Sequence, residues 1–272
     1  MKTLLAFFVL LQTATTPPAP NPADFPQHRK LTQDVYVWSD VHPSGLYTTN
    51  NLIVVTTDGV LVADGQKDAE TTKKMVDWIR ALTRQPIKVL VIGSEHGDHT
   101  GGNASFDPTV TVIKSPLPKG KQMTLHMGTT EIQVLDLGRA HTGTDLEVYL
   151  PKEKILFASE AYSSHIFPNM RAAVPSEWIQ TVRNIRNIDA GTFIPGHGAI
   201  EDGPATKVSL AEFEQALQHI VAEATRLYKT GATVEAAVKQ ANWGPFATWT
   251  ARDRNAAVAI QRVYDAIDGK LK

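Results

Sequence analysis

The segment from Ser94 to Asn103, SEHGDHTGGN, concentrates side chains that bind metals and transfer protons. Within it, His96, Asp98 and His99 supply two imidazoles and one carboxylate, ligand types that suit zinc. Residues two apart on an extended segment point the same way, so we expect His96 and Asp98 to converge. His99 would then serve a second, neighbouring metal. The His-x-Asp-His spacing alone does not separate a metal site from histidines in a solvated loop.

Three more metal-type side chains follow predicted strands later in the chain. His141 comes after a β-rich segment in LGRAHTGTD, Glu160 ends the run ILFASE, and His197 ends TFIPGH. The loop that contains His96 itself follows IKVLVIG, a short apolar run typical of a strand buried on both faces. Because ligand sites in α/β proteins form at strand ends, we expect these four segments to build one site.

The rest of the pattern predicts the elements that position these residues. Runs rich in β-branched residues predict strands over 35–38, over 51–65 with a tight turn at 56–59, and over 109–113, 122–127, 130–138, 146–151 and 154–159. Helical periodicity predicts helices over 70–84, 176–188, 209–227, 233–241 and 250–267. The pair Ser209 and Glu212 has capping-box spacing, which predicts that the third of these helices begins at Ser209. Two β-rich halves with helices outside favour a layered α/β domain with mixed sheets.

The composition argues against several classes of protein. The 272 residues include 27 lysines and arginines against 28 acids, with no basic run of the kind that neutralises nucleic-acid phosphates. There is no cysteine, which excludes disulfides, thiolate nucleophiles and sulfur ligands to a metal. We therefore expect a small-molecule substrate and no nucleic-acid partner.

The N-terminal residues differ from the remainder. An apolar run from Leu4 to Leu11 follows Lys2 and precedes small residues and prolines, a pattern typical of a secretory signal and too short to span a bilayer. We expect residues 1–19 to be a signal peptide, 20–30 a Pro-rich linker, and 31–272 one domain with a helical C-terminal part. The mature protein is then expected to be periplasmic or secreted, without a membrane anchor.

The order of these motifs resembles the metallo-β-lactamase fold superfamily from about Val35 to His197. That superfamily has His-x-His-x-Asp-His, then His, then Gly-Asp, then Gly-His-Gly; this chain has SEHGDH, His141, SEA around Glu160, and GHG in the same order. Ala63-Asp64-Gly65 also resembles an Asp-Gly that ends an early strand in the family. The resemblance implies a four-layer αβ/βα sandwich of two mixed β-sheets with outer helices.

Carried over position by position, the resemblance implies a zinc centre. His96 and His141 would hold the first metal. The second would be held by Asp98, His99 and His197. Glu160 would take the bridging position, and Asp64 would support the ligand loop from behind. Asp98 and Glu160 are also the predicted catalytic residues. In the family, a metal-bound hydroxide attacks the substrate, which zinc permits by lowering the pKa of its water to about 7.

Two residues depart from the family pattern. Ser94 stands where the family has its first histidine, and Glu160 stands where it has an aspartate. A serine hydroxyl is a poor zinc ligand, so the first site keeps only His96 and His141, one short of the usual three protein ligands. We expect one or two zinc ions, with a tight second site and a weak or empty first site. Water, a displaced Glu160 or nothing could complete the first site, and these alternatives stay open.

The predicted function is a zinc-dependent hydrolase acting on a small cyclic amide, lactone or ester, a class that includes β-lactams. The alternatives are an inactive metal- or ligand-binding protein on the same scaffold and an iron-dependent oxygenase. Only 41 residues separate His99 from His141 and 36 separate Glu160 from His197, so neither gap holds an inserted nucleic-acid-processing domain. Two further histidines are candidate site residues. His165 is a candidate for a substrate-facing loop, and His42 is a candidate for the pocket mouth.

Overall fold

A computed structural model describes residues 18–118 and 120–271. The first sheet contains β1 (Gln27–Lys30), β2 (Val35–Val41), β3 (Thr48–Thr56), β4 (Gly59–Ala63), β5 (Ile87–Val91) and β6 (Thr111–Ile113). The second contains β7 (Gln122–Met127), β8 (Thr130–Leu135), β9 (Glu147–Leu150), β10 (Ile155–Phe157) and β11 (Thr192–Ile194). The predicted signal peptide lies almost entirely outside the described residues.

Both sheets are mixed, as predicted. The first has the order β1-β2-β3-β4-β5-β6, antiparallel up to β4 and parallel from β4 to β6. The second has the order β11-β10-β9-β8-β7, with β10 and β11 parallel and the other pairs antiparallel. The parallel strands β5 and β11 each lead directly into a segment that carries predicted metal ligands.

Six helices accompany the sheets in the described part of the chain: α1 (Ala69–Leu82), α2 (Gly97–Thr100), α3 (Pro175–Arg186), α4 (Pro204–Lys229), α5 (Val234–Gln240) and α6 (Arg252–Ile267). α1 begins after Asp68, whose side chain accepts a hydrogen bond from the Thr71 amide at 2.8 Å and so caps the helix. Among these helices, none combines the length and apolar character that crossing a bilayer requires.

Three buried apolar clusters define the layers. One fills the space between the sheets and includes Leu52, Val54, Ile132 and Val148. A second packs α1 against the outer face of the first sheet, and the third packs α3 to α6 against the outer face of the second. The order is therefore helix, sheet, sheet, helices, which confirms the predicted four-layer αβ/βα sandwich.

Two differences from the sequence predictions concern where the folded domain begins and where α4 begins. Residues 27–30, within the predicted linker, form β1 and pair with β2, so the folded domain starts before residue 31. β1 is an exposed edge strand of polar residues. The hydropathy pattern of the sequence therefore gives no signal for this strand. The helix predicted from Ser209 begins at Pro204, and the Ser209 hydroxyl donates to Glu201 instead of capping a helix.

Glu147 is an acid buried within β9. Its Oε2 atom accepts a hydrogen bond from the Leu137 amide at 3.3 Å, while Oε1 has no partner among the described residues. Burial, followed by the nearby Asp145 carboxylate, raises the pKa of Glu147 well above its ordinary value. The folded protein therefore keeps a proton on Glu147 at pH values where the unfolded chain has lost it.

We expect Glu147→Gln to weaken the pH dependence of stability. Above the unfolded pKa of about 4.3, only the folded state binds this proton, so the free energy of unfolding falls as pH rises toward the folded pKa. Glutamine removes that fall. Urea unfolding of chelator-treated protein at a series of pH values measures it, with exposed Glu131→Gln on β8 as the control. A wild-type pH slope in Glu147→Gln would contradict the prediction.

Candidate metal centre

The predicted ligands lie at neighbouring strand ends and in the His141 loop between β8 and β9. Two glycines permit the close backbone approaches that bring these segments together. At Gly102, a Cβ atom would collide with Thr72 and the Asp68 carbonyl at the start of α1. At Gly196, a Cβ atom would lie 2.5 Å from the Ser159 backbone, directly before Glu160. The GG and GHG motifs are therefore needed for packing as well as for chain direction.

The segment after β5 is not extended where its ligands lie. His96 is the residue before α2, and Gly97 to Thr100 form one helical turn. The expected convergence of His96 and Asp98 was therefore wrong. The turn places Asp98 beside His99, in one donor group, and His96 in another. This partition agrees with the ligand sets that the family resemblance implied.

Four side chains form what we call the second-site group, Asp98, His99, Glu160 and His197. The Nε2 atoms of His99 and His197 are 3.4 Å apart. Asp98 Oδ2 lies 3.4 Å from the first of these atoms and 3.3 Å from the second. Ligand atoms at about 2.0–2.1 Å from a tetrahedral zinc ion are about 3.3–3.4 Å apart, so these three separations fit such an ion.

The hydrogen bonds behind this group fix which nitrogen of each ring faces the centre. His99 Nδ1 lies 2.9 Å from Asp64 Oδ2, and His197 Nδ1 lies 3.0 Å from the Thr48 carbonyl oxygen. Because both partners are acceptors, each Nδ1 donates, and each neutral ring keeps its Nε2 lone pair toward the other. Asp98 Oδ2, also aimed there, is buried and has no hydrogen-bond donor among the described residues. Three acceptors that face one point favour a positive charge there, which a metal ion or a proton can supply.

The first-site group consists of His96, His141 and Glu160. His96 Nδ1 lies 3.1 Å from His141 Nε2 and 2.8 Å from Glu160 Oε2. The other oxygen of Glu160, Oε1, lies 3.2 Å from His141 Nε2 and 3.0 Å from His197 Nε2. One carboxylate therefore contacts imidazoles of both groups, in the bridging position that the resemblance implied.

Ser94 contacts Glu160 directly. Its Oγ donates a hydrogen bond to Glu160 Oε2 at 2.5 Å and accepts one from the His96 amide at 3.2 Å. Ser94 is fully buried, so both contacts are shielded from water. The hydroxyl thus binds the carboxylate, and only two imidazoles remain for the first site.

The electrostatics of the centre favour positive charge. Burial alone would lower the pKa of His99, but the Asp64 and Asp98 carboxylates outweigh it and raise this pKa to about 10. Burial alone would raise the pKa of Glu160, yet the His141 and His99 imidazoles hold it well below its ordinary value. The pKa of Asp98 is lowered as well, so Asp98 and Glu160 stay ionised and attract a proton or, in its place, a metal ion.

No protein-family model matches the chain. Among curated proteins, it is 24% identical to a type 2 metallo-β-lactamase of Bacillus cereus over 196 residues, covering 64% of this chain and 77% of that protein. It is 24% identical to a type 2 metallo-β-lactamase of Elizabethkingia meningoseptica over 212 residues, covering 68% and 85%.

Solved structures show the same architecture. A metallo-β-lactamase from Pontibacter korlensis superimposes with a TM-score of 0.63 at 22% identity, covering 71% of this chain and 99% of that one. The chain has the metallo-β-lactamase fold. The sec-alkylsulfatase Pisa1 from Pseudomonas sp. superimposes with a TM-score of 0.73 at 13% identity, covering 89% of this chain and 50% of that one.

All six predicted ligands of this metallo-β-lactamase-fold chain converge on the metal centre. The two remaining histidine candidates, His42 and His165, lie in different surroundings. His42 lies beside the second-site group, with Nε2 3.5 Å from Asp98 Oδ2, and burial followed by His197 lowers its pKa to about 4. His165 does not line the space beside the ligands. Its ring instead contacts Glu212 at 3.3 Å and Trp249, and its place in a substrate-facing loop stays a prediction.

Sequence reasoning missed several residues that shape the centre. Ser159 donates to Asp64 Oδ2 at 2.6 Å, and Asp145 accepts hydrogen bonds from the Ala140 and Thr142 amides on either side of His141. Trp178 in α3 lies edge-on to the His141 ring, with the ring centroids 5.2 Å apart. In the sequence, the only local indication of any of these contacts is that Ser159 directly precedes the predicted ligand Glu160.

We expect Asp64→Asn to weaken zinc binding about 10–100-fold, because an amide nitrogen in place of Oδ2 cannot accept the His99 proton and the ring loses its fixed orientation. Asparagine tolerates the positive φ of residue 64, 63°, so the fold should persist. Competition with a chromophoric chelator measures the Kd. Asp58→Asn, in the exposed β3–β4 turn, is the control. An unchanged Kd in Asp64→Asn would show that this contact does not support the metal.

Proposed function

We propose that this protein is a zinc-dependent hydrolase of a small cyclic amide, lactone or ester. The observation that carries the proposal is the second-site group, where Asp98, His99 and His197 direct three acceptors at one point with separations of 3.3–3.4 Å. Imidazole and carboxylate ligands of this number suit zinc. The curated relatives are metallo-β-lactamases, which supports the reaction class and places β-lactams among the substrates to test.

The ligands, Asp64 and Glu160 have different roles in the proposed reaction. A zinc ion in this group would activate water by lowering its pKa to about 7 and would polarise a carbonyl. Asp98, His99 and His197 would hold that ion, while Asp64 keeps His99 in the binding tautomer. We assign removal of the nucleophile's proton to the ionised carboxylates of Asp98 and Glu160, which belong to the same donor group.

The centre is most exposed to solvent at His96. The His96 side chain is 34% exposed, whereas the side chains of His141, Glu160 and His197 are 5–7% exposed. The space beside those three buried ligands is about 20 Å³, enough for about one water molecule.

We further propose that the centre is asymmetric. The Ser94 hydroxyl orients Glu160 instead of binding metal, so the first-site group offers two imidazoles and a shared carboxylate. The second-site group has its three ligands without Glu160. The second site should therefore bind zinc more tightly than the first.

We expect the wild-type protein to retain about one zinc ion and Ser94→His about two, because a third imidazole would complete the first site. Elemental mass spectrometry after dialysis against a weak chelator measures the content. Ser94→Ala, which removes the hydroxyl without adding a ligand, should retain about one. Two equally tight ions in the wild type would refute the asymmetric centre.

We expect the zinc-loaded protein to hydrolyse chromogenic lactams, lactones or esters, and His99→Ala to lower kcat/KM at least about 100-fold by removing a ligand. His126→Ala, an exposed histidine on β7, should retain wild-type turnover. Zinc binding without turnover of any of these substrates would favour the inactive binding protein. Bound iron with oxygen consumption would favour an oxygenase.

A further inference from the structure

A cavity of about 430 Å³ lies directly behind the ligand His197. Thr48, whose carbonyl oxygen lies 3.0 Å from His197 Nδ1, forms part of its wall, as does Gly198. Tyr47 and Ile166 line both this cavity and the small space beside the metal ligands. The cavity and the centre are therefore neighbours that share two side chains.

The wall of this cavity is mostly apolar. Its apolar residues come from the N-terminal segment, the β2–β3 loop and the loops after Glu160 and His197; they are Pro18, Pro20, Phe25, Leu46, Ile166 and Ile200. None of the described residues in its lining is acidic. Its volume is in the range of small-molecule sites, about 300–1,000 Å³.

Several polar side chains of the wall form hydrogen bonds within the protein. Ser39 Oγ donates to Asn50 at 2.7 Å, Thr48 Oγ1 donates to the Gly198 carbonyl at 3.2 Å, and Ser164 Oγ lies 3.1 Å from His165 Nδ1.

Arg29 is paired as well. It donates to the Ile200 carbonyl at 2.6 Å and forms an ion pair with Asp202. A polar ligand would have to compete with these contacts, whereas an apolar ligand gains by leaving water. The wall therefore favours an apolar occupant.

We propose that this cavity binds the alkyl or acyl tail of an amphiphilic substrate whose ester, lactone or amide group lies at the metal centre. The proposal rests on the proposed function and names its substrate class. Tyr47 and Ile166, which border both spaces, lie where the tail leaves the reacting group. Tyr47 packs on the His197 ring at a centroid distance of 5.0 Å, which keeps the two spaces adjacent.

The first experiment separates the tail site from catalysis. Binding of straight-chain alcohols from butanol to decanol to metal-free protein is measured by titration calorimetry. Each added methylene should lower the Kd about three- to fourfold until the cavity is full, as expected for burial of apolar surface. A Kd independent of chain length would overturn the proposal.

Matched variants locate the binding. Leu46, in the cavity wall, and Leu82, at the end of α1, are both 38% exposed, so tryptophan at either position should be tolerated. Leu46→Trp should weaken decanol binding at least about tenfold by filling the cavity, and Leu82→Trp should leave it unchanged. Ala199→Phe, with Ala81→Phe as its control, repeats the test at a second pair of exposed alanines. Equal effects in wall and control variants would overturn the location.

The zinc-loaded protein then links the cavity to turnover. With p-nitrophenyl esters from acetate to decanoate, KM should fall with chain length in wild type and Leu82→Trp but much less in Leu46→Trp. Chain-length-dependent alcohol binding without hydrolysis of any ester would overturn the proposed function while supporting the alkyl site. Alcohol binding that appears only after residues 1–17 are removed would overturn the proposal and make those residues the occupant.

Discussion

The carboxylate of Asp64 holds together the parts of the chain that build the centre. Asp64 is fully buried at the end of β4 and accepts hydrogen bonds from the Gly93 amide at 2.7 Å, Ser159 Oγ at 2.6 Å and His99 Nδ1 at 2.9 Å. A buried carboxylate is costly unless its acceptor capacity is used. Because its donors come from the segments after β5 and β10, the position of each segment depends on the other.

Ser94 and Glu160 are best understood as one structural feature. The two residues are 66 positions apart, yet the serine hydroxyl donates to the glutamate at 2.5 Å. A serine is smaller than a histidine and leaves room for the extra methylene of glutamate. Its hydroxyl also supplies the charge-assisted hydrogen bond that keeps this carboxylate beside His96 and His141. The two departures from the family pattern therefore fit each other in space.

The C-terminal helices support the site from outside the sheets. The Asn255 side chain in α6 donates to the Phe167 carbonyl at 2.7 Å, and the Thr250 carbonyl accepts from the Phe167 amide at 2.9 Å. The His165 carbonyl accepts from the Thr250 amide at 3.2 Å. These contacts fix the loop after Glu160, including Ile166 at the boundary between the centre and the cavity. The helical part therefore shapes the surroundings of the site without providing a predicted metal ligand.

The sequence by itself determined most strands, most helices and the residue types of the convergent ligands, while the four-layer order and the two ligand sets were implied by the family resemblance. The strands, helices and residue types depend on local hydrophobic periodicity and on residue types beside turn-forming glycines. It did not reveal β1, because a polar edge strand has no hydropathy signal. The sequence pattern also predicted the wrong relative directions for the side chains of His96 and Asp98. The reason is that one helical turn follows His96, where an extended strand was expected.

Only the tertiary structure decided how Ser94 meets Glu160, where His165 points, and that Leu46, Ile166 and Ile200 surround a cavity. These outcomes depend on strand register and layer packing, which bring together side chains far apart in the chain and have no local signature.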